Sequence, residues 1–151
     1  MSGSARRPAM RSVIAAVLVL FAAVTSGCSG SGARADLAQS LKETQAAVRS
    51  VETALDQLER GRTTRAAAQV TAEDMAAQIG TAQQRIVTTS TENDAERDLR
   101  EHCEQVIAAA LVAVQDVQDD LTGSIVSPAT RTQLLAADRD VASAATAVGE
   151  P

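Results

Sequence analysis

From about position 36 onward, apolar residues recur at alternating spacings of three and four, which places them on one face of an α-helix. A first helix is predicted over about 36–60, with Asp36 as its cap and Gly61 as its end. The residues on its apolar face are Leu37, Leu41, Thr44, Val48, Val51, Leu55 and Leu58. A second helix is predicted over about 64–89, and its apolar face consists of Ala68, Ala72, Met75, Ile79, Ala82 and Ile86. Half of these are alanine, so we expect this helix to lie close against a neighbour.

Two more helices are predicted, over about 94–121 and about 128–148. The polar stretch 88–94 before the third helix is typical of a turn with capping residues. The apolar face of the third helix consists of Leu99, Cys103, Val106, Ala110, Val114, Val117 and Leu121. The fourth helix should begin with Ser127 as its cap and Pro128 at its first position. Along it, Leu134, Val141 and Val148 recur at seven-residue intervals.

No stretch alternates between apolar and polar residues as a strand does, so the sequence predicts an all-α fold. Because the connections between helices are short, consecutive helices should be antiparallel, which predicts an up-down four-helix bundle over residues 36–151. A longer two- or three-helix coiled coil with a loosely docked last helix is the alternative.

The first 27 residues have the pattern of a secretory signal peptide. Arg6, Arg7 and Arg11 precede an apolar run over 13–24, and small residues follow it. A helix of this length spans only about 18 Å, against about 30 Å for the hydrocarbon core of a bilayer. We therefore expect a segment that is removed after export and not a permanent transmembrane helix.

The end of this segment, Ser26-Gly27-Cys28, resembles the lipobox of bacterial lipoproteins, although Thr25 occupies the position where that family prefers a large aliphatic residue. The resemblance implies cleavage between Gly27 and Cys28 and attachment of fatty acyl chains such as palmitate to the Cys28 thiol. It also implies a location on the extracytoplasmic face of the cell membrane. Residues 28–35 are rich in Gly and Ser and are predicted to form a flexible tether. Secretion without a lipid is the alternative.

Charge and composition limit the remaining function classes. Without residues 1–27 the chain carries 11 basic and 19 acidic residues, a formal charge of −8 that disfavours binding to nucleic acid. The only aromatic residue, Phe21, lies in the segment that we expect to be removed. The helical body must then build its core mostly from alanine and aliphatic side chains, and we expect tight contacts, marginal stability and a tendency to form homo-oligomers.

Neither Cys103 nor His102 indicates a catalytic or metal site. Cys103 lies on the predicted apolar face of the third helix, where we expect it to be buried, with an intermolecular disulfide as the alternative. His102 has one acidic neighbour on its helical face, Asp98, which is too few ligands for zinc. No acid–base pair or activated nucleophile emerges from the sequence, so we expect no enzyme activity, no cofactor and no bound metal.

The sequence therefore predicts a membrane-anchored lipoprotein with a binding or structural role in the cell envelope. The cluster Arg60, Arg62 and Arg65 is the predicted contact for an anionic envelope polymer or the carboxylates of an envelope protein. In an up-down bundle this cluster should lie far from the membrane, while the acidic stretch 92–104 faces it. A carrier of a small apolar ligand is the alternative function, and it would need a cavity lined by aliphatic side chains.

Overall fold

The computed structural model describes residues 32–123 and 125–149, and within these ranges the chain forms four α-helices and no strand. Helix α1 spans Gly32–Glu59, α2 spans Arg65–Thr88, α3 spans Asp94–Thr122 and α4 spans Pro128–Gly149. The predicted all-α fold class is confirmed. The signal segment 1–27 and Cys28 lie outside the described residues.

Helix α1 begins earlier than the sequence pattern predicts. It starts at Gly32, so Asp36 lies inside the helix and does not cap it, and residues 32–35 of the predicted tether are helical. The sequence from Ala33 to Ala35 is Ala-Arg-Ala, and both residue types have high helix propensity. Residues 32–35 include no large apolar side chain, so hydrophobic periodicity did not predict this first turn of the helix.

The other helix ends have local causes. The Thr64 side chain accepts a hydrogen bond from the Ala67 backbone N–H, and Asn93 does the same for Glu96, which satisfies amides that lack helical partners. Helix α1 ends before Gly61, whose φ of 64° lies in the left-handed region that favours glycine. Gly61 and the Thr64 cap together account for the short turn between α1 and α2, and the Asn93 cap accounts for the start of α3.

Contacts between helices establish the up-down arrangement. In each contact a residue in the first half of one helix meets a residue near the end of its neighbour, as expected for antiparallel helices; the pairs are Glu43 with Arg85, Ala72 with Gln118, and Arg131 with Glu59. The helices therefore lie in the cyclic order α1, α2, α3, α4. One end of the bundle carries the turn 60–64 and the segment 125–127, and we call it the two-loop end.

The side chains in the core explain how closely the helices approach. The Cα atoms of α2 and α3, and those of α3 and α4, come within 8 Å of each other. These helices bury small side chains, namely Ala68, Ala72, Ala82, Ala110, Ala113, Ala137 and Ala144.

Most of the predicted apolar face is buried, with one change on α3. Val106, which periodicity placed on the inner face, is only partly buried, whereas its neighbour Ile107 is fully buried. Val106 instead lines a surface groove between α3 and α4 together with Asp140. Leu58, Met75 and Leu99 are also partly buried, at the margin of the core.

Candidate functional site

The predicted arginine cluster lies at the two-loop end, but two of its three members bond within the bundle. The Nη2 atom of Arg60 is 3.5 Å from Oδ2 of Asp56. The Nη1 atom of Arg65 donates to the Leu121 carbonyl oxygen at 3.4 Å, near the end of α3 where carbonyls lack helical partners. Arg62 is exposed, and its guanidinium makes no ion pair with any residue that the structure describes.

An apolar and an acidic side chain lie at the same end. Ile125 is 78% exposed, the most exposed large apolar side chain among the described residues. The Oδ2 atom of Asp120 accepts hydrogen bonds from the Ser127 backbone N–H at 2.8 Å and the Thr130 hydroxyl at 2.6 Å. These two bonds lower the pKa of Asp120 below its ordinary value. The two-loop end therefore presents Arg62 and Ile125, and it also contains the Asp120 carboxylate, which is held by the start of α4.

Cys103 has no exposed surface and is unpaired, as the burial prediction requires. Burial raises the pKa of its thiol to about 11, so the sulfur stays protonated near neutral pH. A protonated thiol without accessible surface is poorly placed to form a disulfide with another chain.

His102 and Asp98 are both exposed on α3. His102 lines the groove that contains Val106, and it makes no hydrogen bond with a described residue, so no nucleophile–base pair is formed around it there. Within residues 32–123 and 125–149, no three His, Cys, Asp or Glu side chains come together in an arrangement that could hold a metal ion.

Sequence analysis missed a group of charged side chains between α1 and α4. We call it the α1–α4 charge cluster, and its members are Arg49, Glu52, Asp56, Glu59, Arg131 and Asp138. The first four follow each other at spacings of three and four, which puts them on one side of α1, beside its apolar face. This pattern was visible in the sequence, but nothing in it indicated which helix would supply the partners.

Both arginines of this cluster are paired with acids. The Nε and Nη2 atoms of Arg49 lie 3.0 and 3.4 Å from the two carboxylate oxygens of Asp138. Arg131 pairs with Glu59 at 2.7 Å and more loosely with Asp56 at 3.4 Å. These pairs link the two helices, although each is partly exposed and so contributes little to stability by itself.

Glu52 is left without such a partner. Its Oε1 atom is shielded from water and accepts no hydrogen bond. Burial, followed by the charge of Asp138, raises the pKa of Glu52 above its ordinary value, and the charge of Arg49 offsets part of this rise. Beside it lies a cavity of about 130 Å³, lined by Glu52, Leu55, Asp56, Arg131, Leu134 and Leu135.

The substitution Glu52→Gln should stabilise the protein at neutral pH by about 1 kcal/mol, because it removes the charge of a partly buried carboxylate whose Oε1 atom is shielded from water without a hydrogen bond. Since the pKa of Glu52 is raised in the folded state, its ionisation costs stability as the pH rises through that raised value. The advantage of the variant should therefore disappear as the pH falls towards the ordinary value of 4.5.

Urea unfolding of both proteins across this pH range measures the effect. Glu101→Gln, on the exposed surface of α3, is the matched control and should change stability by less than about 0.5 kcal/mol. A variant at Glu52 that is less stable than the wild type at neutral pH would show that the carboxylate is favourably bound in the fold.

None of the described helices has the length and apolar character needed to cross a membrane. Comparison with known proteins adds no functional assignment: no protein family, no curated protein and no solved structure matches this chain.

Proposed function

We propose that the protein is a lipoprotein, held on the extracytoplasmic face of the cell membrane by acyl chains on Cys28, with a non-catalytic binding or structural role in the cell envelope. The observation that carries this proposal is the apolar run 13–24 followed by Ser26-Gly27-Cys28. An acyl-modified cysteine with two or three chains is retained far more firmly than a protein with a single chain.

The length of α1 supports a role in display. Only residues 29–31 separate Cys28 from the start of α1, so even an extended chain allows at most about 14 Å between that cysteine and Gly32. With 28 residues, α1 is about 42 Å long and ends at the two-loop end. An anchor at Cys28 would leave the two-loop end as the part of the bundle farthest from the attachment point.

The partner that we propose is an envelope protein or polymer with anionic groups, bound at the two-loop end. Arg62 supports this choice because it is exposed and has no ion pair with a described residue, while Ile125 adds apolar surface at the same end. An anionic and partly apolar surface would satisfy both side chains. Arg60 and Arg65 hold the turn in place and contribute less to the contact.

The carrier alternative has no supporting observation. A groove of about 340 Å³ on the described surface is lined by Arg49, Ser50, Thr53, Ala54, Gln57 and Thr71, and most of these are polar. A carrier of an apolar ligand would instead need a lining of aliphatic and aromatic side chains.

Site-specific photocrosslinking in intact envelopes tests the proposal. A photoreactive residue in place of Arg62 should give a discrete adduct, and the same residue in place of Ala95, exposed at the opposite end, should not. The adduct should be lost when Cys28→Ala is added, since the body would no longer be held at the membrane. Equal labelling from both positions, or none from position 62, would contradict the proposed contact.

A further inference from the structure

We propose that the outer face of α2 binds the same face of a second copy of this chain, with the two helices antiparallel. We call this surface the α2 outer face, and its residues are Ala66, Val70, Glu73, Ala77, Gly80, Gln84 and Val87. The inference concerns a different surface from the two-loop end, and it depends neither on the proposed anchor nor on the partner proposed there.

Helix α2 carries two sets of residues with the spacing of a packed helix surface. One set is buried in the core and consists of Ala68, Ala72, Ile79, Ala82 and Ile86. The residues of the α2 outer face also follow one another at alternating spacings of four and three, but on the opposite side of the helix. All of them are exposed except Gly80, which is partly exposed. The second set therefore has the pattern of a helix contact that this chain alone does not make.

Two large apolar side chains lie in solvent towards the two ends of the α2 outer face. Val70 is 55% exposed and Val87 is 45% exposed. Between them the face carries a single charged residue, Glu73, whereas the solvent-facing side of a surface helix usually carries many. Exposed apolar side chains on a face with so little charge are typical of a surface that another protein covers.

Gly80 lies near the middle of this face, and the fold of the single chain does not require a glycine there. A Cβ atom added at Gly80 would meet no described atom within 4 Å outside its own helical turn. Glycine inside a helix costs about 1 kcal/mol relative to alanine. Together with Ala77 on the same face, it leaves the backbone of α2 open to close approach by a second helix.

The order of the residues fits a second α2 helix in antiparallel orientation. With a two-fold axis between positions 78 and 79, Val70 lies opposite Val87 of the other copy, and Ala77 lies opposite Gly80. The large apolar side chains therefore meet each other near both ends of the contact, and the small residues meet at its centre. The face is complementary to itself in this orientation.

The two polar residues of the face match in the same orientation, because Glu73 lies opposite Gln84 of the other copy. The Oε1 atom of Glu73 accepts a hydrogen bond from Nε2 of Gln69 at 3.1 Å, and its other carboxylate oxygen accepts none from a described residue. The Gln84 carboxamide is likewise unused, so its N–H can donate to that oxygen. A parallel pair would instead place Glu73 against Glu73, and like charges repel.

Sedimentation equilibrium of the full-length chain in detergent measures the association. A single pair of helices buries less than the roughly 1,600 Å² of a standard stable interface. We therefore expect a reversible dimer with a Kd on the order of 10 µM. A chain that stays monomeric at about 200 µM, well above this Kd, would overturn the inference.

Disulfide formation between introduced cysteines tests the orientation. Val70→Cys and Val87→Cys are prepared separately in a full-length chain whose Cys28 and Cys103 are replaced by alanine, so that each variant has one thiol. In the antiparallel dimer position 70 faces position 87, while the two copies of either position lie about 26 Å apart along the helices. Only the mixture of the two variants should give a disulfide-linked dimer. Dimers that form as readily within one variant alone would contradict the antiparallel contact.

Gly80→Leu should block the close approach of the two helices and weaken dimerisation by at least about tenfold. The added Cβ atom meets no neighbour and leucine favours a helix more than glycine does, so the variant should fold at least as stably, which circular dichroism checks. Ala46→Leu, at an exposed position of α1, is the matched control and should dimerise as the wild type does. Wild-type affinity in Gly80→Leu would refute the proposed face.

Discussion

Replacing Cys28 by alanine is expected to move the protein from the membrane fraction to the soluble fraction almost completely. The thiol is the proposed attachment point for the acyl chains, so the variant cannot be acylated there. Each buried CH₂ group of an acyl chain contributes about 0.8 kcal/mol to membrane binding, so the loss of two or three chains is a very large change. Fractionation followed by immunoblotting measures the distribution.

The second cysteine provides the matched control. Cys103→Ala removes the buried thiol on α3 and should leave the protein in the membrane fraction. Mass spectrometry of the wild-type protein should find Cys28 as the first residue, with the added mass of the acyl chains. Retention of the Cys28→Ala variant in the membrane, or an unmodified sulfur at this position, would refute the anchor.

The second large effect is expected in the core, where Ile107→Ala should destabilise the bundle by about 3 kcal/mol. Ile107 is fully buried, and removing its side chain leaves a cavity that its neighbours can fill only in part. In a domain of this size the loss corresponds to a decrease of about 12 °C in the melting temperature. The described residues include no aromatic side chain, so few large side chains are available to fill the space that Ile107 leaves.

Val106→Ala is the control for that substitution, since it truncates the adjacent residue on the same helix. Val106 is only partly buried, so the variant should lose about 1 kcal/mol or less. Thermal unfolding followed by circular dichroism compares the two. If Val106→Ala proved the more destabilising, α3 would face the core as hydrophobic periodicity alone predicts, contrary to the structure.

Val106 and Ile107 show which feature of the fold the sequence could not predict, namely which of two adjacent apolar residues is buried. Spacings of three and four identified the inner faces of all four helices, and they also identified Cys103 as buried. On α3 both Val106 and Ile107 continue the pattern at acceptable spacing from Cys103. Which of them lies deeper depends on the contacts with neighbouring helices, and periodicity contains no information about those contacts.

The candidate sites were predictable to different degrees. The turn between α1 and α2, at which Arg60, Arg62 and Arg65 lie, was correctly located, because Gly61 marks it locally. That Arg65 would bond to the Leu121 carbonyl was not predictable, since the two residues lie 56 positions apart. The α1–α4 charge cluster was missed for the same reason.

The sequence by itself determined the helices, most of their buried faces and the signal that leads us to propose an anchor at Cys28. Each of these depends on residues close together in the chain: a helical period, a cap, or small residues beside a cysteine. Only the tertiary structure decided that Glu52 would lack a partner. The acidic partners of Arg49 and Arg131 lie 89 and 75 positions away in the sequence. The packing of α4 against α1 determines which carboxylates these arginines reach.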